Sequence, residues 1–413
     1  MPFRLSLAGL LCLLILPVGT PATDLDPAGD AEKAVLLKLF APDAHDLGRF
    51  FHPSFLEQVP EPQMKQILDT YRGALGDLEQ IVGSSGNYEL VFTKGKTPCR
   101  ITLNQQRQIV GLWFGHWTLF DDSPTSLREE FSRIPGQVSV TLVRDDGQTL
   151  FSLNSDLPLA VGSAFKLYVL QSAADQVRAG KMRWDQVVPL RADRVSLPSG
   201  ILQNWPADSP LTLRTLANLM ISISDNTATD HLLFLLGRER VEAHAPQRLR
   251  PFLSTREMFV LKWGVEADTR QRYAAADLAG RRQLLEKLQD FPLNKIAYDG
   301  SPVMVDEIEW HISTRELCRL IHSLRDDPSL AINTGLANPA QWHRIGYKGG
   351  SEPGVLNFTH LLQPAADGPA YALAATVNHT SEAIDTNGFA LLVSRLMALL
   401  QRGEFSAEAT HAP

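Results

Sequence analysis

Cysteine is scarce in this chain. Three occur in 413 residues, Cys12, Cys99 and Cys318. Cys12 lies in an N-terminal apolar run, and the other two stand too far apart to suggest a disulfide framework, so each reads as a small buried apolar residue. Positive charge is also in deficit. Lys and Arg number 39 against 46 Asp and Glu, a net charge of −7, and no Lys/Arg-rich run occurs, which argues against a nucleic-acid partner. Beyond Val18 no apolar stretch is long enough to span a bilayer. No residue cluster calls for a metal or a cofactor, and the oligomeric state stays open.

What is present begins at the N-terminus. Arg4, the apolar run Leu5–Val18 and the small residues Gly19-Thr20-Pro21-Ala22 have the layout of an export signal over residues 1–22, cleaved near Ala22. A chain so exported and so poor in cysteine fits a periplasmic or secreted location, with no stable membrane insertion after cleavage. At 413 residues, two domains are expected. Residues 28–120 read as a small α+β domain. Ala31–Phe40, Asp46–Phe51 and Pro62–Leu75 carry helical spacing, with Met64, Ile67, Leu68 and Tyr71 on one stripe. Tyr88–Thr93, Cys99–Leu103 and Ile109–Phe114 then read as strands. This pattern is similar to that of the nuclear-transport-factor-2/steroid-isomerase-like domains. Trp113, His116 and Trp117 either line a pocket or pack in its core.

Asp121-Asp-Ser-Pro-Thr125 reads as an exposed acidic linker. Ser126-Leu-Arg-Glu129 has capping-box spacing and opens a helix, followed by a hairpin of Val138–Val143 and Gln148–Leu153 around Asp145-Asp146-Gly147. The chemistry concentrates next. Ser163-Ala-Phe-Lys166 is the only S-x-x-K in the chain and leads into an apolar helix. Positions i and i+3 share a helix face, so Ser163 and Lys166 lie side by side. A serine hydroxyl needs an adjacent base to act as nucleophile, and a lysine in low dielectric near a second cation can be that base. Ser224-Asp225-Asn226 and Lys348-Gly349-Gly350 follow in order. Taken singly, each has a plain structural reading: a helix cap, a capping turn, and a strand end entering a turn. Together and in order they match S-x-x-K, S-D-N and K-[T]-G.

From about Leu127 to Arg402 the chain therefore resembles the class A β-lactamase-type serine hydrolases, which share their fold with penicillin-binding proteins. The preceding small domain and the Lys-Gly-Gly variant are similar to the two-domain β-lactamase-fold type of the clavulanic acid biosynthetic cluster. The resemblance implies an antiparallel sheet flanked by helices, plus an all-helical half, over residues 126–402. The last helix, Ile384–Arg402, would pack on that sheet. It also implies an acyl-enzyme at Ser163, with Lys166 as base and Ser224 passing a proton to the leaving nitrogen. Asn226 would bind the substrate amide, and Lys348 the substrate carboxylate. The N–H groups of Ser163 and Ser351, past Gly350, would form the oxyanion hole. A β-lactam is the expected substrate. The alternatives are a D,D-peptidase or esterase using the same acylation, or a slow-turnover penicillin-binding or sensor protein.

Two departures stand out. Gly349 replaces the Thr or Ser whose hydroxyl steadies the ligand carboxylate in the family. The deacylating glutamate, expected in an Arg-x-Glu-x-x-Leu-Asn context, has only Arg256-Glu257-Met-Phe-Val-Leu261-Lys262 to match it. Glu257 is either that base or a helix N-terminal acid paired with Arg256. Glu309, before Trp310, reads as structural.

Overall fold

The computed structural model describes residues 27–41 and 46–405, so the expected export signal lies outside the described residues. The chain divides into two compact units: residues up to Leu127 together with Asn387–Glu404, and Arg128–Thr386.

In the first unit, helix α1 spans Pro27–Leu39, a short α2 Pro53–Leu56 and α3 Glu61–Leu75. The expected helix at Asp46–Phe51 is only a single 3-10 turn, Leu47–Arg49. Met64, Leu68, Tyr71 and Leu75 of α3 are buried at steps of four, three and four, the stripe a helix turns toward a core. Strands β1 (Leu78–Ser84), β2 (Asn87–Phe92), β3 (Gly95–Leu103) and β4 (Ile109–Phe114) form an antiparallel sheet in that order, and β5 (Thr118–Leu119) pairs with β3. Burial alternates along β2 at Tyr88, Leu90 and Phe92, so one face of the strand meets the core. Strand β1 escapes sequence reading because most of its residues are exposed and its pattern is mixed. Trp117 packs edge-on against Tyr71, with ring centroids 4.9 Å apart.

Of the expected linker Asp121–Thr125, only Asp121 and Thr125 are exposed. Asp122 is buried and ion-paired with Arg395, whose Nε donates to both carboxylate oxygens at 3.1 Å. Arg395 belongs to α13 (Thr386–Gln401). That helix, assigned on sequence to the second domain, groups with the first unit. Helix α4 runs Pro124–Ser132 and begins earlier than the Ser126 box predicts, because Ser123 and Ser126 cap each other: Ser126 N–H donates to Ser123 Oγ at 3.0 Å and Ser123 N–H to Ser126 Oγ at 2.9 Å.

The second unit is built on the antiparallel sheet β12-β13-β14-β6-β7. Its hairpin β6 (Gln137–Arg144) and β7 (Thr149–Leu153) turns at Asp145-Asp146-Gly147 as expected. The chain then leaves the sheet through β8 (Leu159–Ala160) and enters the helical half. There α5 is Lys166–Arg178; β9 (Val187–Pro189) and β10 (Pro210–Thr212) pair with each other; α6 is Leu213–Ser222 and α7 Asn226–Leu236. Next come α8 (Arg238–His244), α9 (Thr255–Phe259) running into a π turn Val260–Gly264, α10 (Ala267–Ala275) and α11 (Leu278–Leu288). Strand β11 (His311–Ile312) pairs with β8, and α12 (Thr314–Ser323) lies against β6, β13 and β14. The sheet is completed by β12 (Arg344–Glu352), β13 (Val355–Gln363) and β14 (Tyr371–Asn378). Nearly every residue of β13 and β14 is buried, as in strands covered on both faces. Cys99 and Cys318 are free and buried.

One aromatic contact ties the sheet-side strands to the helical half. Phe165 stacks on Trp310 with centroids 3.7 Å apart, and Trp310 Nε1 donates to Leu253 O at 3.3 Å. Trp310→Ala is expected to destabilise this unit by about 3–5 kcal/mol, from lost burial plus the cavity left behind, read as a lowered urea midpoint. A midpoint unchanged from wild type would show that the stack carries no weight.

Candidate active site

Ser163 sits in a 3-10 turn, Gly162–Phe165, between β8 and α5. The turn is fixed on one side by Val161 N–H donating to Trp310 O at 3.1 Å, and on the other by β12. A Cβ added to Gly350 would lie 2.1 Å from Val161 O and 2.5 Å from Ser163 N, and one added to Gly162 would lie 3.2 Å from Ser351 N. Only glycine allows this approach, which brings the Ser163 and Ser351 amides toward each other. The Ser163 side chain is half-buried, and its hydroxyl forms no hydrogen bond among the described residues.

Lys166, the first residue of α5, is fully buried. Its Nζ donates to Asn226 Oδ1 at 2.6 Å, Ser224 O at 2.7 Å and Ser224 Oγ at 3.0 Å. Burial pushes its pKa down to about 7, against the opposing pull of Asp230, Asp225 and Glu352. Lys348 Nζ reaches the same hydroxyl, Ser224 Oγ, at 3.1 Å, and Gly349 O at 2.5 Å. Burial, then the neighbouring Lys166, holds the Lys348 pKa well below the usual lysine range. The structure thus brings Lys166, Ser224, Asn226 and Lys348 together beside the Ser163 turn, from three separate stretches of chain.

The local sequence explains how Ser224 is presented. Thr212 caps α6, its hydroxyl accepting from Thr215 N–H at 3.0 Å, and Asp225 caps α7, accepting from Ala228 N–H at 2.8 Å. Ser224 lies between the two helices at φ +58°, a backbone region costly for a residue with a side chain. Its carbonyl accepts from both Lys166 Nζ and Ser199 Oγ, the latter at 2.6 Å. The second oxygen of Asp225 accepts from Ile201 N–H at 2.7 Å and Leu202 N–H at 3.0 Å, anchoring the loop opposite. Asn226 is engaged at both ends of its amide, accepting from Lys166 and donating through Nδ2 to Leu197 O at 3.0 Å. Its side chain is therefore already committed to holding the site together.

Glu257 is placed elsewhere in the scheme. It closes a capping box with Ser254 at the start of α9, and its carboxylate takes both guanidinium nitrogens of Arg238, at 2.6 and 2.9 Å. Its partner is Arg238, eighteen residues before Arg256, and not the adjacent arginine. The N–H of Arg256 instead donates to Asp230 at 3.0 Å, alongside the N–H and hydroxyl of Thr255 at 2.7 and 2.8 Å. Burial lifts the Asp230 pKa to about 6.

Sequence reading named Lys262 and Glu309 separately but missed the cluster they form with Glu352. Lys262, in the π turn and fully buried, donates to Glu309 at 2.6 Å and Glu352 at 3.2 Å. Burial and the neighbouring Glu309 raise the Glu352 pKa well above the usual carboxylate range, while Lys262 holds Glu309 below it against burial. The cluster joins the α9 segment to the residue after Ser351. Its sequence signals were Lys262 at the last position of the Arg256–Lys262 stretch and Glu309 before Trp310. Among the described residues, no three His, Cys, Asp or Glu side chains converge as a metal would require.

A family model described as the β-lactamase enzyme family matches residues 125–281. No curated protein matches the chain. Solved structures that it resembles include a β-lactamase from Sphaerobacter thermophilus DSM 20745, at 20% identity over 68% of this chain and 97% of that one, TM-score 0.47. They also include PBP-A, at 18% identity over 69% and 97%, TM-score 0.45. A third is a variant of the class A β-lactamase of the last common ancestor of Gram-negative bacteria, at 17% identity over 68% and 98%, TM-score 0.47. The family match falls on the hairpin, Ser163, Lys166 and the Ser224 loop, so this stretch of the second unit is similar to the β-lactamase enzyme family.

Proposed function

We propose that this unit is a serine hydrolase that is acylated at Ser163 by small amides of the β-lactam class. One observation carries the reading: a fully buried lysine amine, its pKa brought to about 7, begins the helix that follows an unbonded serine hydroxyl. In the neutral state Lys166 takes the Ser163 proton as Oγ attacks the carbonyl carbon. The oxyanion that forms is received by the N–H groups of Ser163 and Ser351. Ser224, in contact with both Lys166 and Lys348, then passes a proton to the leaving nitrogen as the C–N bond breaks. Peptide and ester acyl donors would use the same step.

A second reading, a slow-turnover penicillin-binding type of protein, is favoured by Glu257. Its carboxylate is taken by Arg238 and by the Ser254 N–H, which leaves it poorly suited to activating a deacylating water. We therefore infer fast acylation and slow release.

Ser163→Ala is expected to lose any covalent adduct with a chromogenic cephalosporin in intact-protein mass spectrometry. The fold should be retained, because the hydroxyl makes no internal bond and such truncations usually fall within about 0.5 kcal/mol. An adduct that persists removes Ser163 from the role. The acylation rate constant should rise with pH through about 7 and level off above it, since only the neutral Lys166 amine accepts a proton. A profile flat through that region would argue for a different base. Glu257→Gln should lower thermal stability by about 1–3 kcal/mol, through weakened bonds to Arg238 and Ser254, and leave the adduct lifetime unchanged. A lifetime extended by the 10²–10⁴ typical of a lost general base would instead assign Glu257 to deacylation.

A further inference from the structure

The N–H groups of Ser163 and Ser351 belong to different sheets. Strand β8, which leads into the Ser163 turn, pairs with β11, while β12 pairs with β13 alone. Asn378 of β14 clamps β8 from one side, accepting from Ala160 N–H at 2.7 Å and donating to Ala160 O at 2.9 Å. Strand pairing therefore leaves the spacing on the β12 side to other contacts. Successive residues of a strand face opposite sides, so Lys348, Gly350 and Glu352 share one face of β12. That face meets the Ser163 turn, because a Cβ added to Gly350 would lie 2.5 Å from Ser163 N. Glu352, the residue after Ser351, leaves the strand on that same side.

What Glu352 meets there leads back to Ser163. Lys262 Nζ donates to Glu352 Oε2 at 3.2 Å and to Glu309 Oε1 at 2.6 Å. The other oxygen of Glu309 accepts from Trp310 N–H at 3.3 Å. The Trp310 carbonyl accepts from Val161 N–H at 3.1 Å, and its ring stacks on Phe165. Val161 and Phe165 flank Ser163 on either side. The contacts thus run from the neighbour of one N–H to both flanks of the other. Their centre is dry: the Lys262 and Glu309 side chains have no exposure, and that of Glu352 has 11%. Against burial, the two glutamates keep Lys262 charged and Lys262 keeps the Glu309 pKa low, whereas burial and then Glu309 lift that of Glu352. The cluster therefore balances its charge, and cutting one member leaves the others buried without a partner.

We propose that Lys262, Glu309 and Glu352 act as one positioning unit that fixes the spacing of the Ser163 and Ser351 N–H groups for the oxyanion. The three act through the backbone on either side of the hole. Oxyanion donors count only where they point at the position the charge will occupy, and a misplacement of about 1 Å can cost on the order of 10²-fold in rate. That these two N–H groups receive an oxyanion rests on the acyl-enzyme reading above; the spacing itself does not.

Lys262→Met and Glu352→Ala each cut the unit. With benzylpenicillin, each should lower the acylation rate constant at saturation roughly 10- to 100-fold, below the loss of a whole oxyanion donor. The dissociation constant for reversible binding, measured by calorimetry in a Ser163→Ala background, should stay unchanged, because the donors act in the transition state. Glu352→Gln can still accept from Lys262 and donate to Glu309, and should recover most of the rate that Glu352→Ala loses. In ligand-free protein, the NMR signal of the Ser163 backbone amide should move in Lys262→Met and in Glu352→Ala, although both substitutions are remote from it in sequence. A folded variant with the wild-type rate constant, equal losses in Glu352→Ala and Glu352→Gln, or binding lost as much as rate would each overturn the proposal. Should Lys262→Met fail to fold, the partly exposed Glu352 carries the test. A wild-type protein that takes no mass increment would remove the acyl-enzyme reading alone. The Ser163 amide signal then decides, and a signal unmoved in the variants overturns the positioning role.

Discussion

The second unit is arranged around one buried amine. Lys166 has no contact with bulk water, and its three hydrogen bonds go to Asn226 and to the carbonyl and hydroxyl of Ser224. No carboxylate bonds to it directly; Asp225, Asp230 and Glu352 act only from a distance. Desolvation therefore wins, and the amine is poised near neutrality rather than locked as a cation. Around it, the caps at Thr212 and Asp225 exist to deliver Ser224 in a strained conformation to the right place.

The contrast with Lys262 shows how the same side chain is set to opposite tasks. Both lysines are fully buried, but Lys262 is bonded to two glutamates and its pKa is raised, not lowered. A lysine so paired stays charged and serves as a tie between the α9 segment and the end of β12. Lys348 stands with Lys166: buried, held by neutral groups, and short of a counter-charge. The fold therefore keeps one buried lysine charged beside the site and lowers the pKa of the two within it.

Close approach of backbone is the third requirement. Gly350 is needed because β12 comes against Val161 and Ser163 with no room for a methyl group, and Gly349 because the Tyr347 phenol occupies its side-chain space.

The sequence by itself determined the order of the chemistry and most of the elements. Ser163, Lys166, Ser224, Asn226 and Lys348 were legible because short motifs constrain neighbours on a helix or turn. The β6–β7 hairpin followed from its turn residues, and α3 and strands β2, β3 and β4 from the spacing of their apolar residues. Contacts between distant segments were decided only by the tertiary structure. The pairing of Glu257 with Arg238, of Asp122 with Arg395, and of Lys262 with Glu309 and Glu352 joins residues 19, 273, 47 and 90 positions apart. No local periodicity encodes such partners. The bend of Tyr347 over Gly349 is of the same kind: a strand pattern says which face a side chain leaves from, but packing against His360 and Gly335 decides where its far end comes to rest.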